Sequence, residues 1–503
     1  MKFKLNKKLF FGLLTISSLV PLISVVSCND QENTALKTMQ ESFVTDEKIK
    51  EFKNTFAGYS KDQMEIMGSA NEINEESQNF IKAFNKYYGT KLNWVQGHQM
   101  QKTISEKIQT NNGIGNILMF AVEPQATFEE FDKYTFDTDP AKVLDYNKND
   151  LTGTITVGNK KFPAFTYSYF GVIYNRDTFN KNGVTVYEGA SFDTNNEKNP
   201  DLIKGEAYDG TIEKDNKLYV FTNDLKESGY RKVISFLKSK GIDKPFYSIA
   251  KGGDVKKVWP ISKHLFAAAV DQHGDLSNGY DDVDKVVNMD VVNAMKKAVE
   301  IMGYVPEKDG TEVNDTREGI KKVGTGTVAM VQGGAYNDVA IKKDDPDSNV
   351  GMFPLPIFNK KDQTAMIFRG PGHKWAITSL AKDESKLKTA KLFLHALHNS
   401  KTGYNYLVDG FKVISPYTKP EGANAKQKQG SLNDSGTKYD GITNVGSWAH
   451  SYLPQGMVYY NDKMRQLANE GYAQSDTLER LRTLYKENLE TQKKRAEENK
   501  DKN

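Results

Sequence analysis

Gly324-Thr-Gly-Thr-Val-Ala-Met-Val-Gln-Gly-Gly-Ala-Tyr336, followed by Val350-Gly-Met-Phe-Pro-Leu-Pro356 and Arg369-Gly-Pro-Gly-His-Lys-Trp375, is the stretch on which the reading of the fold turns. Thr327 to Gln332 is a short apolar run closed by Gly333-Gly334, the pattern of a buried strand ending in a turn. Paired glycines leave the backbone open to close approach by a ligand, and Tyr336 follows as an aromatic platform. An ordinary strand, turn and helix with a core tyrosine fits the same residues. The rest of the chain has to separate the two.

Upstream, Met64 to Gly68, Leu92 to Val95 and Ile117 to Phe120 read as strands, alternating with helices over Asn74 to Tyr88 and Met100 to Thr110. Strand, helix, strand, helix, strand is the signature of a parallel sheet covered by helices. In such sheets ligands bind beyond the carboxyl ends of the strands, where Ser69, Asn71, Phe120 and Glu123 fall. Core packing accounts for Phe120 equally well, and a solvated loop end for Glu123.

The order Gly-x-x-x-Met-x-x-x-Gly-x-aromatic, Phe-Pro-x-Pro and a Gly-rich strand entry resembles the extracellular solute-binding proteins of ABC importers, in their carbohydrate-binding, maltose-binding-like branch (family 1). Phe84 to Gly89, Asn116 to Glu123 and Phe162 to Phe179, with Tyr174-Asn175 and Phe179, carry the likeness across residues 60 to 460. Gly115-Asn116 stands where that family has Pro-Asp, and a polar insertion over 183–218 replaces its proline-tryptophan helix entry. The resemblance implies an α/β, two-lobed periplasmic-binding-protein-like fold of type II, with hinge-connected lobes and a central cleft. Lobe 1 is then 43–165 plus 367–415, lobe 2 is 166–366 plus 416–490, and 491–503 is a charged tail. The lobes would close by a hinge near Phe165 and Pro416.

A sugar presents an apolar C–H face and a rim of hydroxyls, so a site for it needs aromatic faces and planar polar groups. By the resemblance, Phe120, Tyr167, Trp259, Tyr336 and Tyr459 are the aromatics, with Tyr169 beside Tyr167 and His264 a secondary choice. Ser69, Asn71, Glu123, Arg369 and His373 form the rim. Trp375 reads as core or site, and Arg369, Lys374 and Lys251 leave an anionic ligand open.

The first 28 residues carry a separate message. A basic start, Met1 to Lys8, precedes an apolar stretch from Leu9 to Val26, as in a secretory signal peptide over 1–27. Val25-Val26-Ser27-Cys28 resembles a bacterial lipobox, which implies an acylated Cys28, the sole cysteine, followed by a lipid-proximal tether over 28–42. One cysteine excludes an intrachain disulfide and a cysteine-based metal site. Net charge is +3, and Lys2, Lys4, Lys7 and Lys8 would leave with the signal, so nothing points to nucleic acid.

No dinucleotide fingerprint, Walker A, nucleophile elbow or zinc-protease motif occurs, so no cofactor, metal or catalytic residue is implied. The expectation is a non-enzymatic monomer on the outer face of the cytoplasmic membrane. It would bind a small carbohydrate and deliver it to ABC permease subunits. A surface adhesin on the same fold, and a glycoside-acting enzyme using Glu123 and Asp275, are the alternatives. Smaller expectations are solvent-facing His395 and His398, Asp290 as a helix N-cap, a loop or hairpin over 183–218, and a polar loop over 419–438.

Overall fold

The computed structural model describes residues 27–68, 75–96, 117–122, 144, 154–157, 160–193, 202–247, 264–277, 281–303, 316–371, 374–377, 383–411, 413–424, 431–440, 445–447 and 461–500. Its strands begin with β1 (Gln63–Gly68), β2 (Lys91–Gln96), β3 (Ile117–Val122), β4 (Thr154–Val157), β5 (Lys160–Pro163) and β6 (Tyr167–Asn175). There follow β7 (Val184–Tyr187), β8 (Thr211–Lys214), β9 (Lys217–Phe221), β10 (Phe246–Tyr247) and β11 (Met330–Gly334). The last are β12 (Val350–Phe353), β13 (Leu355–Phe358), β14 (Ala365–Pro371), β15 (Lys374–Ile377) and β16 (Val445–Ser447).

The first sheet has the order β15-β3-β1-β2. β1 pairs in parallel with β2 and β3, and β15 closes the edge antiparallel to β3. A parallel pair needs a crossover, supplied between β1 and β2 by the helix Glu75–Tyr88. Phe80, Ile81, Phe84 and Tyr88 recur at helical spacing and are buried.

In the second sheet β6 is the hub: the order is β10-β11-β6-β14-β13, with β12 also on β6 and β16 on β14. β6 runs antiparallel to β11, β12 and β14. Side chains alternate along a strand, so Tyr169 and Ile173 enter one core while Phe170, Val172 and Tyr174 enter another. Burial on both faces explains why Tyr169 to Tyr174 carries no alternation of apolar and polar residues.

Apolar packing divides the chain in two. One core gathers Phe43, Phe80, Phe84, Trp94, Phe165, Trp375, Phe393, Phe411 and Tyr417. The others draw on residues from Tyr169 to Phe368 and from Leu432 to Tyr485. The chain therefore passes between them three times: after Phe165, between Phe368 and Trp375, and after Tyr417. The second passage lies beyond residue 366 because β14 keeps pairing with β6 as far as Pro371. The third lies beyond 416 because Tyr417 packs in the first core.

Several local expectations change. The tether segment is helical, within Ser27–Thr45. Phe43 anchors that helix, its ring 5.2 Å from Phe80, and packing of this kind outweighs weak propensity. A groove of about 570 Å³ runs between it and the helix Lys401–Asp409. Asp46 interrupts the run expected from Val44 to Phe56. It caps Glu47–Thr55 by accepting from Lys48 N, and its other oxygen accepts from Thr402 N and Oγ1 at 2.9 and 2.8 Å. Asp46→Ala should therefore cost about 2–3 kcal/mol in urea unfolding and speed proteolysis of 27–45. A loss below about 0.5 kcal/mol would show that the cap is dispensable.

The 183–218 segment contributes most of a three-stranded sheet, β7-β9-β8, packed around Leu202, Ile212 and Phe221. Asp215 and Asn216, with φ of 52° and 60°, make the β8–β9 hairpin turn. Asn288, not Asp290, caps the helix Met289–Ile301, accepting from Val291 N. Part of the expected 419–438 loop forms the helix Leu432–Thr437, and the charged tail is helical as far as Lys500.

His395 and His398 do not face solvent. The helix Glu384–His398 passes through the first core, and Leu392 to His398 are all buried. Trp375 Nε1 donates to His398 Nε2 at 2.9 Å, so a neutral ring carries its proton on Nδ1.

Candidate functional site

β1, β2 and β3 end at Gly68, Gln96 and Val122, and Lys374 at the start of β15 pairs with Val122. In the second sheet β11, β14 and β16 finish at the end where β6 begins: Gly334 pairs with Phe170, Pro371 with Tyr167, and Ser447 with Arg369. β10, parallel to β11, finishes there too. Three Cα–Cα steps join Pro371 to Lys374, so the carboxyl ends of the two sheets lie within about 11 Å at this passage. The region between them is the candidate cleft.

Tyr167, Tyr336 and Arg369 all lie along its second-sheet edge. Tyr167 is half-buried, and its N–H donates to Ile414 O at 3.0 Å. Its ring stands perpendicular to that of Tyr169, 6.3 Å away. Tyr169, expected to face the cleft, is buried in a core and only its hydroxyl reaches out, donating to Asp440 Oδ1 at 2.5 Å. Arg369 lies opposite Tyr169 in register and pairs with the same carboxylate. β14 carries it as a strand residue, two positions before the strand ends at Pro371.

Burial raises both tyrosine hydroxyls, and for Tyr169 the bond to Asp440 adds to it, so both remain O–H donors at neutral pH. Burial alone would lower Arg369, but the facing Tyr167 and Asp440 outweigh it and the guanidinium stays charged. The edge thus offers an Arg–carboxylate pair with matched charge, flanked by aromatic rings.

Tyr336 sits in the turn Ala335–Asn337 just after β11. Its ring lies over Gly334, where a Cβ would stand 2.2 Å from Tyr336 Cε1, so the turn needs glycine there. It meets His264 at 6.4 Å, and that buried ring lies 4.2 Å from Phe170. Phe170 and Tyr169 point to opposite faces of β6. Tyr336 and Arg369 therefore flank the same sheet edge from opposite sides. Trp375 is fully buried in the first core.

Phe120 lies in β3, paired with Met67 and Ala376. Cys28 falls in the first turn of Ser27–Thr45. Ser69, Asn71, Glu123, Trp259, His373 and Tyr459 lie outside the described residues. Asp440 was missed: a carboxylate in a polar stretch without periodicity carries no local signal. Among the described residues there is no cluster of three metal-ligating side chains and no helix long and apolar enough to cross a membrane.

No protein-family model matches the chain, and no curated protein matches it in sequence. Solved structures do. The chain is similar to RafE in complex with raffinose, at 15% identity and a TM-score of 0.58, covering 85% of this chain and 99% of that one. An apo form of RafE from Streptococcus pneumoniae gives a TM-score of 0.57 at the same identity, with 85% and 98% covered. The binding protein MsmE of Bacillus subtilis, in an open conformation, gives 0.56 at 15% identity, with 86% and 99% covered. A cyclic α-maltosyl-1,6-maltose binding protein from Arthrobacter globiformis gives 0.56 at 11% identity, with 86% and 100% covered. At such identities the likeness is one of architecture: this chain is built on the two-lobed fold of the extracellular solute-binding proteins.

Proposed function

We propose that the chain is the substrate-binding component of an ABC importer, which captures a sugar or oligosaccharide between its lobes and delivers it to a membrane permease. The observation that carries this reading is the meeting of both sheets' carboxyl ends at one passage, edged by Tyr167, Tyr336 and the Arg369–Asp440 pair. Asp440 offsets the charge of Arg369, which favours a neutral polyhydroxyl ligand over an anion. Structures of similar fold include a manno-oligosaccharide binder holding mannotriose and a chitin oligosaccharide binding protein.

The hinge has its own chemistry. Tyr167 N–H donates to Ile414 O, and Tyr417 OH donates to Ala164 O at 3.0 Å, so the first and third passages lie side by side. A few backbone torsions there would allow the lobes to rotate without disturbing either core. In this reading the protein is exported, monomeric and not an enzyme, and an acylated Cys28 holds it at the outer face of the membrane, near the permease.

Thermal shift against raffinose, maltotriose, mannotriose and chitotriose tests the reading. A sugar at 100 times its Kd should stabilise the protein by about 2.7 kcal/mol, and small-angle scattering should show a smaller radius of gyration with that sugar. Stabilisation without compaction would remove the closing step. Product formation would make the chain an enzyme, and silence across the panel would favour adhesion.

A further inference from the structure

The 183–218 insertion replaces a helix entry of the sugar-binder pattern, and it reaches the segment that carries Asp440. We propose that the Glu188–Gly189 corner following β7 is a positioning element, holding residues 436–440 so that Asp440 meets Arg369 and Tyr169. This rests on the reading of that cluster as the ligand edge.

Glu188 has a side chain only 3% exposed. It accepts from Tyr174 OH at 2.7 Å, from Arg176 Nε at 2.9 Å and from Lys438 Nζ at 2.7 Å. Burial would raise its carboxyl, but Arg176, Lys438 and Tyr174 outweigh burial and hold it below the usual carboxylate range. One charged group therefore joins the end of β6, the helix Arg176–Lys181 and Lys438.

Gly189 adds steric contact. Its φ is +66°, and a Cβ there would stand 2.0 Å from Lys438 O. On the other side Tyr439 is buried, its hydroxyl donating to Met352 O at 3.0 Å, and Gly436 lies against the Tyr169 ring. The segment is thus held between the insertion, β12 and Tyr169, and Asp440 follows directly. Without the Glu188–Gly189 corner, the Lys438 side of this clamp would be open.

Hydrogen exchange on the full chain tests the role without a ligand. Gly189→Ala pushes on the Lys438 carbonyl, and Lys438→Met removes the half-exposed end of the ion pair while leaving Arg176 paired. Each should speed exchange of the 437–440 amides by about tenfold, and Lys438→Arg should restore slow exchange. Tyr208→Phe is the control. It loosens the far side of the insertion, where Tyr208 OH donates to Asp224 Oδ2 at 2.8 Å, and should leave 437–440 unchanged. Affinity for whichever of the four sugars binds should fall about tenfold in Gly189→Ala. Unchanged exchange at 437–440 in both variants, or equal loosening in Tyr208→Phe, would overturn the proposal. If none of the sugars binds the wild type, the ligand-site reading fails, while the exchange arm still decides what the insertion does.

Discussion

Asp440→Ala should weaken sugar binding by about 10- to 100-fold, the range for losing hydrogen bonds to a charged partner. Asp440 accepts from Tyr169 OH and pairs with Arg369, so its removal strips two groups of their shared acceptor. The guanidinium is then free to turn, and the edge becomes cationic. Arg369→Ala should cause a loss of similar size by removing the donor fork. Because the two act as a unit, the double variant should lose little more than either single one. Isothermal titration of the panel sugar that stabilises the wild type measures all three. A second readout separates a charge effect from a packing effect: Asp440→Asn should improve the ratio of affinities for a phosphorylated sugar over its neutral parent. Wild-type affinity in both alanine variants would remove this edge from the site.

Stability should also depend on pH through His398. Burial, with a smaller contribution from neighbouring His395, pushes its imidazole down to about 3, against an ordinary value of 6.5. Above pH 6.5 the ring is neutral in folded and unfolded chains alike, and its contribution is fully present. As pH falls through 6.5 only the unfolded chain takes up the proton, so stability drops by about 1.4 kcal/mol per unit until about pH 3. Across the whole window this amounts to about 5 kcal/mol. His398→Gln keeps an acceptor within reach of Trp375 Nε1 and cannot titrate. Urea midpoints between pH 7 and 4 should therefore fall more steeply in the wild type, with losses from other carboxylates common to both proteins. Parallel curves would show that His398 takes up its proton without unfolding the first core.

Much of the scaffold is legible in the order of residues. The apolar spacing from Phe80 to Tyr88 sufficed to place a helix between two parallel strands, because such patterns involve residues a few positions apart. Tyr336 follows its strand, as the glycine pair suggests, whereas Tyr167 begins β6 and Arg369 lies within β14, placements that only strand pairing fixes. Reading Tyr169 as a cleft residue failed for a definable reason: β6 is buried on both faces, so its tyrosines could not be sorted by alternation. The histidines of Glu384–His398 misled in the same way, because a helix running through a core has no solvent face at its end.

What the order of residues determined by itself was the alternation of strands and helices and the kinship of the whole pattern with two-lobed binding proteins; that the space over Gly334 is taken by the Tyr336 ring, and not left to a ligand, came from the structure. Tertiary structure alone decided which charges meet. Tyr169 and Asp440 are 271 residues apart, and Glu188 and Lys438 are 250 apart. Short-range periodicity reports on neighbours within a turn or a strand, whereas an ion pair across such distances exists only once both sheets have assembled.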